Sequence, residues 1–222
     1  MDLSDILASS VHDIKNSLGM VMHSLDEMLA DPANQIADHS KANLLQQQAR
    51  RANNDLIQLL TLYKLESAQL TLNVQEHYLD EFFQELQAEH AGLTSAMGID
   101  LQVDVAADLS GYFDDELVRS ILGNAIGNAG RYTHSCILLS ANEEDGYLVM
   151  RVEDDGDGYP DAALANVREL SSTGVFTRGR TQLGLFFADR FAKLHQAGER
   201  AGRISLSNGH RLTGGCFALW LP

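Results

Sequence analysis

Apolar residues along the first ~70 positions recur every three to four residues, the period of a helix that presents one face to a partner. Leu3, Leu7, Ile14, Leu18, Val21, Leu25 and Met28 form a first stripe. Asp31-Pro32-Ala33-Asn34 then interrupts it, because proline cannot continue the helical hydrogen-bond ladder. A second stripe runs through Leu45, Ala49, Ala52, Leu56, Leu59, Tyr63 and Ser67. Two long helices with a short connection predict an antiparallel hairpin over residues 1–69. One hairpin cannot bury both stripes by itself. A homodimer forming a four-helix bundle is the expected solution, and packing of both helices on the rest of their own chain is the alternative.

From Leu70 onward the pattern changes. Leu70–Val74 alternates like a short strand, and Asp80–Met97 reads as an amphipathic helix. Ile99–Val105 alternates strictly, as a half-buried strand does. Asp114–Gly130 is helical, and Ile137–Ala141 and Tyr147–Val152 are strands joined by a turn at Gly146. A helix over Leu183–His195 and strands over Ile204–Ser207 and Phe217–Leu221 complete the series. The fold class is therefore α+β: a helical hairpin followed, over 70–222, by an α/β sandwich whose mixed sheet is covered on one face by helices.

Charge narrows the partners. The chain carries 31 acidic against 16 basic residues, a net charge of −15, with no Lys/Arg cluster beyond the pair Arg50-Arg51. Nucleic acid is not an expected partner, since a binder needs a cationic face that releases counterions from phosphates. An anionic membrane is excluded on the same ground. No apolar run approaches the ~20 residues needed to span a bilayer. The acidic start, Met1-Asp2-Leu3-Ser4-Asp5, lacks the basic opening of a secretory signal. Cys136 and Cys216 fit no metal or redox spacing and read as small apolar residues in a reducing compartment. A cytoplasmic location follows as the expectation, with any input arriving through an upstream sensor or regulatory partner.

Two segments carry candidate chemistry. Val152-Glu-Asp-Asp-Gly-Asp-Gly158 sets Asp154, Gly156 and Gly158 in a D-x-G-x-G pattern directly after a strand. A carboxylate there can accept from an exocyclic amine such as that of adenine, and the glycines permit sharp turns and close approach; the same residues also make ordinary turns. Upstream, Asn124 and Asn128 lie one turn apart on one helix face, followed by Arg131 and Tyr132. Amide oxygens suit Mg²⁺ shared with substrate phosphates, Arg131 can meet a phosphate, and Tyr132 offers an aromatic face for a base. A helix end with polar caps and a core tyrosine is the plainer alternative.

Together these segments resemble the ATPase domain of histidine kinases, within the superfamily that also holds gyrase B, Hsp90 and MutL. The asparagine-bearing helix is similar to the N box of that family, and Val152–Gly158 to its G1 box. The resemblance implies that Asn128, with Asn124 beside it, binds Mg²⁺ and that Asp154 reads the adenine amine of ATP. Gly214–Pro222 is similar to the closing strand of these domains. In the first stripe, His12-Asp13-Ile14-Lys15-Asn16 resembles the H box, whose histidine accepts the γ-phosphate. The chemistry suits the residues: a neutral imidazole nitrogen is a competent nucleophile near neutral pH, and Asp13 can orient the ring and take its proton. Asn16, one turn beyond His12, is implied to position water for hydrolysis of a partner's phospho-aspartate. His23, His39 and His90 lack this setting and read as solvated.

One stretch departs from the pattern. The G2 box usually reads G-x-G-L-G-L, and here it is Arg180-Thr181-Gln182-Leu183-Gly184-Leu185. Glycines at a helix start let backbone amides cradle phosphate. Either Arg180 contacts phosphate directly and offsets the lost glycine, or the phosphate site is degraded. The first option implies a protein-histidine kinase of a two-component system, autophosphorylating His12 from Mg-ATP and passing the group to an aspartate of a response-regulator receiver domain. The second implies a dimeric histidine phosphotransferase, a phosphorelay module with a degenerate ATPase-like domain.

Overall fold

The computed structural model describes residues 3–30, 34, 42, 45, 48–49, 52–53, 56, 72–165, 167 and 182–222; at 3–13, 15, 26, 30, 182 and 183 it describes the backbone alone. The chain divides into two compact units, Met1–Thr71 and Leu72–Pro222.

In the first unit, α1 spans Leu3–Ala30, a 28-residue helix that takes in the whole first stripe. Ile14, Met20, Val21 and Met28 on this helix are each more than half exposed. Asn34, in the predicted break, donates from Nδ2 to the Met28 carbonyl oxygen at 3.2 Å, meeting one of the acceptors a helix end leaves over. His23 faces solvent beside Glu27, 3.4 Å away one turn on, in keeping with a solvated histidine. The second predicted helix falls mostly outside the described residues; of its stripe, Leu45, Ala49, Ala52 and Leu56 are helical. His39 is also outside them.

The second unit is an α/β sandwich. Its main sheet has five strands: β2 (Asp100–Asp104), β4 (Cys136–Glu144), β5 (Tyr147–Asp154), β8 (Arg203–Asn208) and β9 (Gly215–Leu221). They lie in the order β2-β4-β5-β9-β8. Only β2 and β4 run parallel, so the sheet is mixed, as expected. Register explains its two faces. Leu139, Val152, Phe217 and Leu206 stand in one cross-strand row, and Ala141, Met150, Leu219 and Ile204 in the next, giving a continuous apolar face. Against this face pack α3 (Asp115–Tyr132) and α4 (Gln182–Leu194), with α2 (Leu79–Ala96) beside β2 and α3. The opposite face carries Ser140, Arg151 and Ala218 in one row, and Glu153 and Cys216 in another. The β4–β5 turn takes positive φ at Asp145 (51°) and Gly146 (74°), the type of hairpin an Asp-Gly pair favours.

Two strand assignments change. Of the strand expected at Leu70–Val74, Leu70 and Thr71 lie outside the described residues, Leu72 and Asn73 are not in a strand, and the strand found, β1, spans Val74–Tyr78. Asn73 cannot join the ladder because its N–H donates to the Asp114 carboxylate at 2.8 Å, and pairing begins only at Val74 opposite Asp114. The partner strand β3, Ser110–Asp114, escapes the periodicity because a glycine and two polar residues surround Tyr112-Phe113. Two short strands, β6 (Gln196–Ala197) and β7 (Arg200–Ala201), form a further hairpin.

The joint between these layers is buried and polar. Asp114 caps α3 by accepting from the Leu117 N–H at 3.1 Å. The Asp114 N–H in turn donates to Nε2 of His195 at 3.0 Å, while Nδ1 of His195 lies 3.1 Å from the Phe191 carbonyl oxygen and donates to it. His195 therefore sits in the neutral form, and burial lowers its pKa below the usual histidine value against the raising effects of Phe191 and Asp114.

Candidate functional site

Between α3, α4 and the end of β5 lies a cavity of about 360 Å³. Asn124, Asn128 and Tyr132 line it from α3; Asp154 and Gly158 from the β5 end; Tyr159, Pro160, Ala162 and Ala163 from the following segment; Gly184, Leu185 and Ala188 from α4; and Phe217 from β9. Its size falls within the range of small-molecule sites, and its walls combine apolar side chains with a few convergent polar groups.

Helical spacing puts Asn124 and Asn128 on the cavity side of α3, with Ile121, Ala125 and Ala129 beside them. Asp154 reaches the same space because strand alternation turns it to the apolar face with Val152 and Met150. It is 4% exposed. Its Oδ1 accepts from the N–H groups of Gly156 at 2.9 Å and Gly215 at 3.1 Å. Its Oδ2 makes no hydrogen bond among the described residues, so one acceptor remains for a donor placed in the cavity.

Several sequence candidates lie here with roles sharper than expected. Gly156 is forced by protein rather than ligand: a Cβ there would stand 2.0 Å from the Tyr132 carbonyl oxygen, so the loop after β5 lies directly on the end of α3. Gly184 answers to Asn124, since a Cβ would stand 2.1 Å from its Nδ2. Gly158 adopts a φ of 82°. Arg131 is exposed in the last turn of α3 and is not among the cavity-lining residues. Arg180 lies outside the described residues. His12 and Asp13 belong to α1, their side chains outside the description, and Asn16 is exposed on the same helix.

Three neighbouring groups escaped the sequence reading. Asp155 accepts from the Thr133 hydroxyl at 2.5 Å, the Ser135 hydroxyl at 2.7 Å, and the backbone N–H groups of His134, Ser135 and Cys136 at 2.9, 3.0 and 3.1 Å. Burial works against its charge, but the bonds from Ser135, Thr133 and Cys136 outweigh that and hold the carboxyl well below the usual carboxylate range. Glu153, fully buried on the other face, accepts from the N–H groups of Arg211 at 2.8 Å and Leu212 at 3.3 Å and meets Nδ1 of His210 at 3.1 Å. It thereby secures the loop that leads to Gly215. Tyr159 contributes its ring to the cavity wall, and burial, together with the nearby Asp154 and Cys216, pushes its phenol pKa up, keeping it neutral. A run of three carboxylates was the available signal for the first two; nothing local marked Tyr159. Cys216 is buried and burial raises its thiol pKa to about 11, in line with a packing role.

The fold and this site together define a class. Residues 113–222 match the family described as histidine kinase-, DNA gyrase B-, and HSP90-like ATPase, and they belong to it. The chain is built on a histidine kinase ATPase core. It is similar, at 27% identity over 98% of its length, to the sensor protein kinase PilS of Pseudomonas aeruginosa, of which it spans 40%. It is 27% identical over 98% of its length to the adaptive-response sensory kinase SasA of Crocosphaera subtropica, spanning 58% of that protein. The chain thus spans about half the length of these curated relatives. Among solved structures, full-length ShkA in complex with AMPPNP shares the fold with a TM-score of 0.65 at 22% identity, over 98% of this chain and 45% of that one. The Acinetobacter baumannii histidine kinase AdeS does so with a TM-score of 0.57 at 16% identity, over 95% and 96%. No helix among the described residues is long and apolar enough to cross a membrane.

Proposed function

We propose that the chain is the catalytic core of a two-component histidine kinase, binding Mg-ATP in the α3–α4 cavity and phosphorylating His12. The observation that carries this reading is Asp154: a buried, cavity-lining carboxylate with one oxygen held by two backbone N–H groups and the other without a hydrogen bond among the described residues. That is the arrangement an adenine amine requires. The solved ShkA complex with AMPPNP supports a nucleotide as the occupant of this fold. Asn128 and Asn124 supply the amide oxygens that would hold Mg²⁺, which neutralises triphosphate charge when bound. Tyr132 and Tyr159 offer aromatic surface for the base.

In the reaction, the neutral imidazole of His12 attacks the γ-phosphorus, a P–N bond forms, and the bond to the β–γ bridging oxygen breaks to release ADP. Asp13 takes the ring proton. Phosphohistidine then donates to an aspartate of a receiver domain, and Asn16 orients water in the reverse, phosphatase direction. The exposed apolar residues of α1 support a homodimer through a four-helix bundle formed by residues 1–69, with residues 70–222 as the ATPase domain. Arg180 takes the place of a phosphate-binding glycine in this scheme.

Incubating the protein with Mg²⁺ and γ-labelled ATP should give acid-labile label that disappears in His12→Ala. No label, with label arriving only from a phosphorylated receiver domain, would replace the kinase by the phosphotransferase reading.

A further inference from the structure

Asn208, the last residue of β8, lies 49 positions from Tyr159 in sequence yet pairs with both of its backbone groups. The Tyr159 N–H donates to Oδ1 of Asn208 at 2.7 Å, and Nδ2 of Asn208 donates to the Tyr159 carbonyl oxygen at 2.8 Å. One carboxamide thus serves as a single rung of β-ladder at a point where the chain has left the sheet. Gly158 is shaped to it. Its φ of 82° favours glycine, and a Cβ there would stand 2.9 Å from Cγ and Oδ1 of Asn208. Tyr159, held in this way, opens the segment that lines the cavity with Tyr159, Pro160, Ala162 and Ala163.

We propose that Asn208 is a positioning residue for the nucleotide pocket, fixing the Tyr159–Ala163 wall from β8. The proposal rests on the reading of the cavity as an ATP site. Asn208 touches no ligand in this account. It sets the place of Tyr159, and through it the width of the space next to Asp154. Because the two hydrogen bonds are exposed and act on a wall, their loss weakens nucleotide binding more than it alters phosphoryl transfer.

The test uses the intact chain with Asn208→Ala and Asn208→Asp. Aspartate keeps the acceptor for the Tyr159 N–H and loses the donor to its carbonyl. In Asn208→Ala, amide exchange at Tyr159 accelerates about 10-fold while that of Leu219, in the centre of the sheet, stays put. The KM for ATP in autophosphorylation rises about 10-fold with kcat within two-fold, and Asn208→Asp falls between the two proteins. Unchanged exchange at Tyr159 overturns the proposal, as does an unchanged KM or a parallel rise at Leu219 with loss of kcat. If the unsubstituted protein binds no ATP, the kinase reading fails separately, and the exchange at Tyr159 alone then decides whether Asn208 fixes this wall.

Discussion

At the end of β5, Glu153, Asp154 and Asp155 point three ways. Strand alternation turns Glu153 to the outer face, where it secures the loop before β9, and Asp154 to the cavity. Asp155, just past the strand, fastens the Thr133–Cys136 loop and so the end of α3. Replacing Asp155 by alanine leaves five donors to water. The half-exposed setting reduces the cost to about 1 kcal/mol, read as a lower thermal midpoint, together with weaker ATP binding. Acidification has a separate effect through His195. Its folded pKa lies below the unfolded value of about 6.5, so its contribution is complete above that pH and declines as pH falls through it toward the folded value. The thermal midpoint should drop between pH 7.5 and 5.5, and the drop should be smaller in His195→Gln. An equal drop in both proteins would remove His195 from the explanation.

At the scale of elements, α3 and α4 meet where Gly184 lies against Asn124. A helical glycine replaced by alanine normally gains about 0.5–1 kcal/mol. Here Gly184→Ala should instead weaken ATP binding by at least about 10-fold, because the added methyl displaces either Asn124 or the start of α4; calorimetric titration measures it. The helices over 80–97, 114–130 and 183–195 were legible from apolar stripes at the helical period, and the strands of the main sheet from alternating or short continuous apolar runs bounded by turn residues. The strand at Val74–Tyr78 was displaced because its first residue is set by a hydrogen bond from Asn73 to Asp114, a contact 41 positions away. Residue type and spacing singled out Asp154, Asn124 and Asn128, which the fold brings to one cavity. Tyr159 and Asn208 were not, since each acquires its role only from the packing of distant segments.

At the scale of the molecule, the proposed function is divided between the two units. The proposal gives dimerisation and phospho-acceptance to residues 1–69 and nucleotide binding to 70–222. Sedimentation should show a particle of twice the 24.3 kDa chain mass. Val21→Asp, on the exposed stripe of α1, should shift it toward monomer while ATP affinity stays within two-fold. A dimer unaffected by that charge would place the interface elsewhere. Phosphorylation of His12 from ATP requires, before anything else, that the cavity at Asp154 hold the nucleotide. Isothermal titration of the intact chain with Mg-ATP reads it directly. Saturable binding by the unsubstituted protein, weakened at least about 10-fold in Asp154→Asn, is the predicted result, since the amide presents a donor where the adenine amine needs an acceptor. Equal binding by both proteins, or none by either, would contradict it.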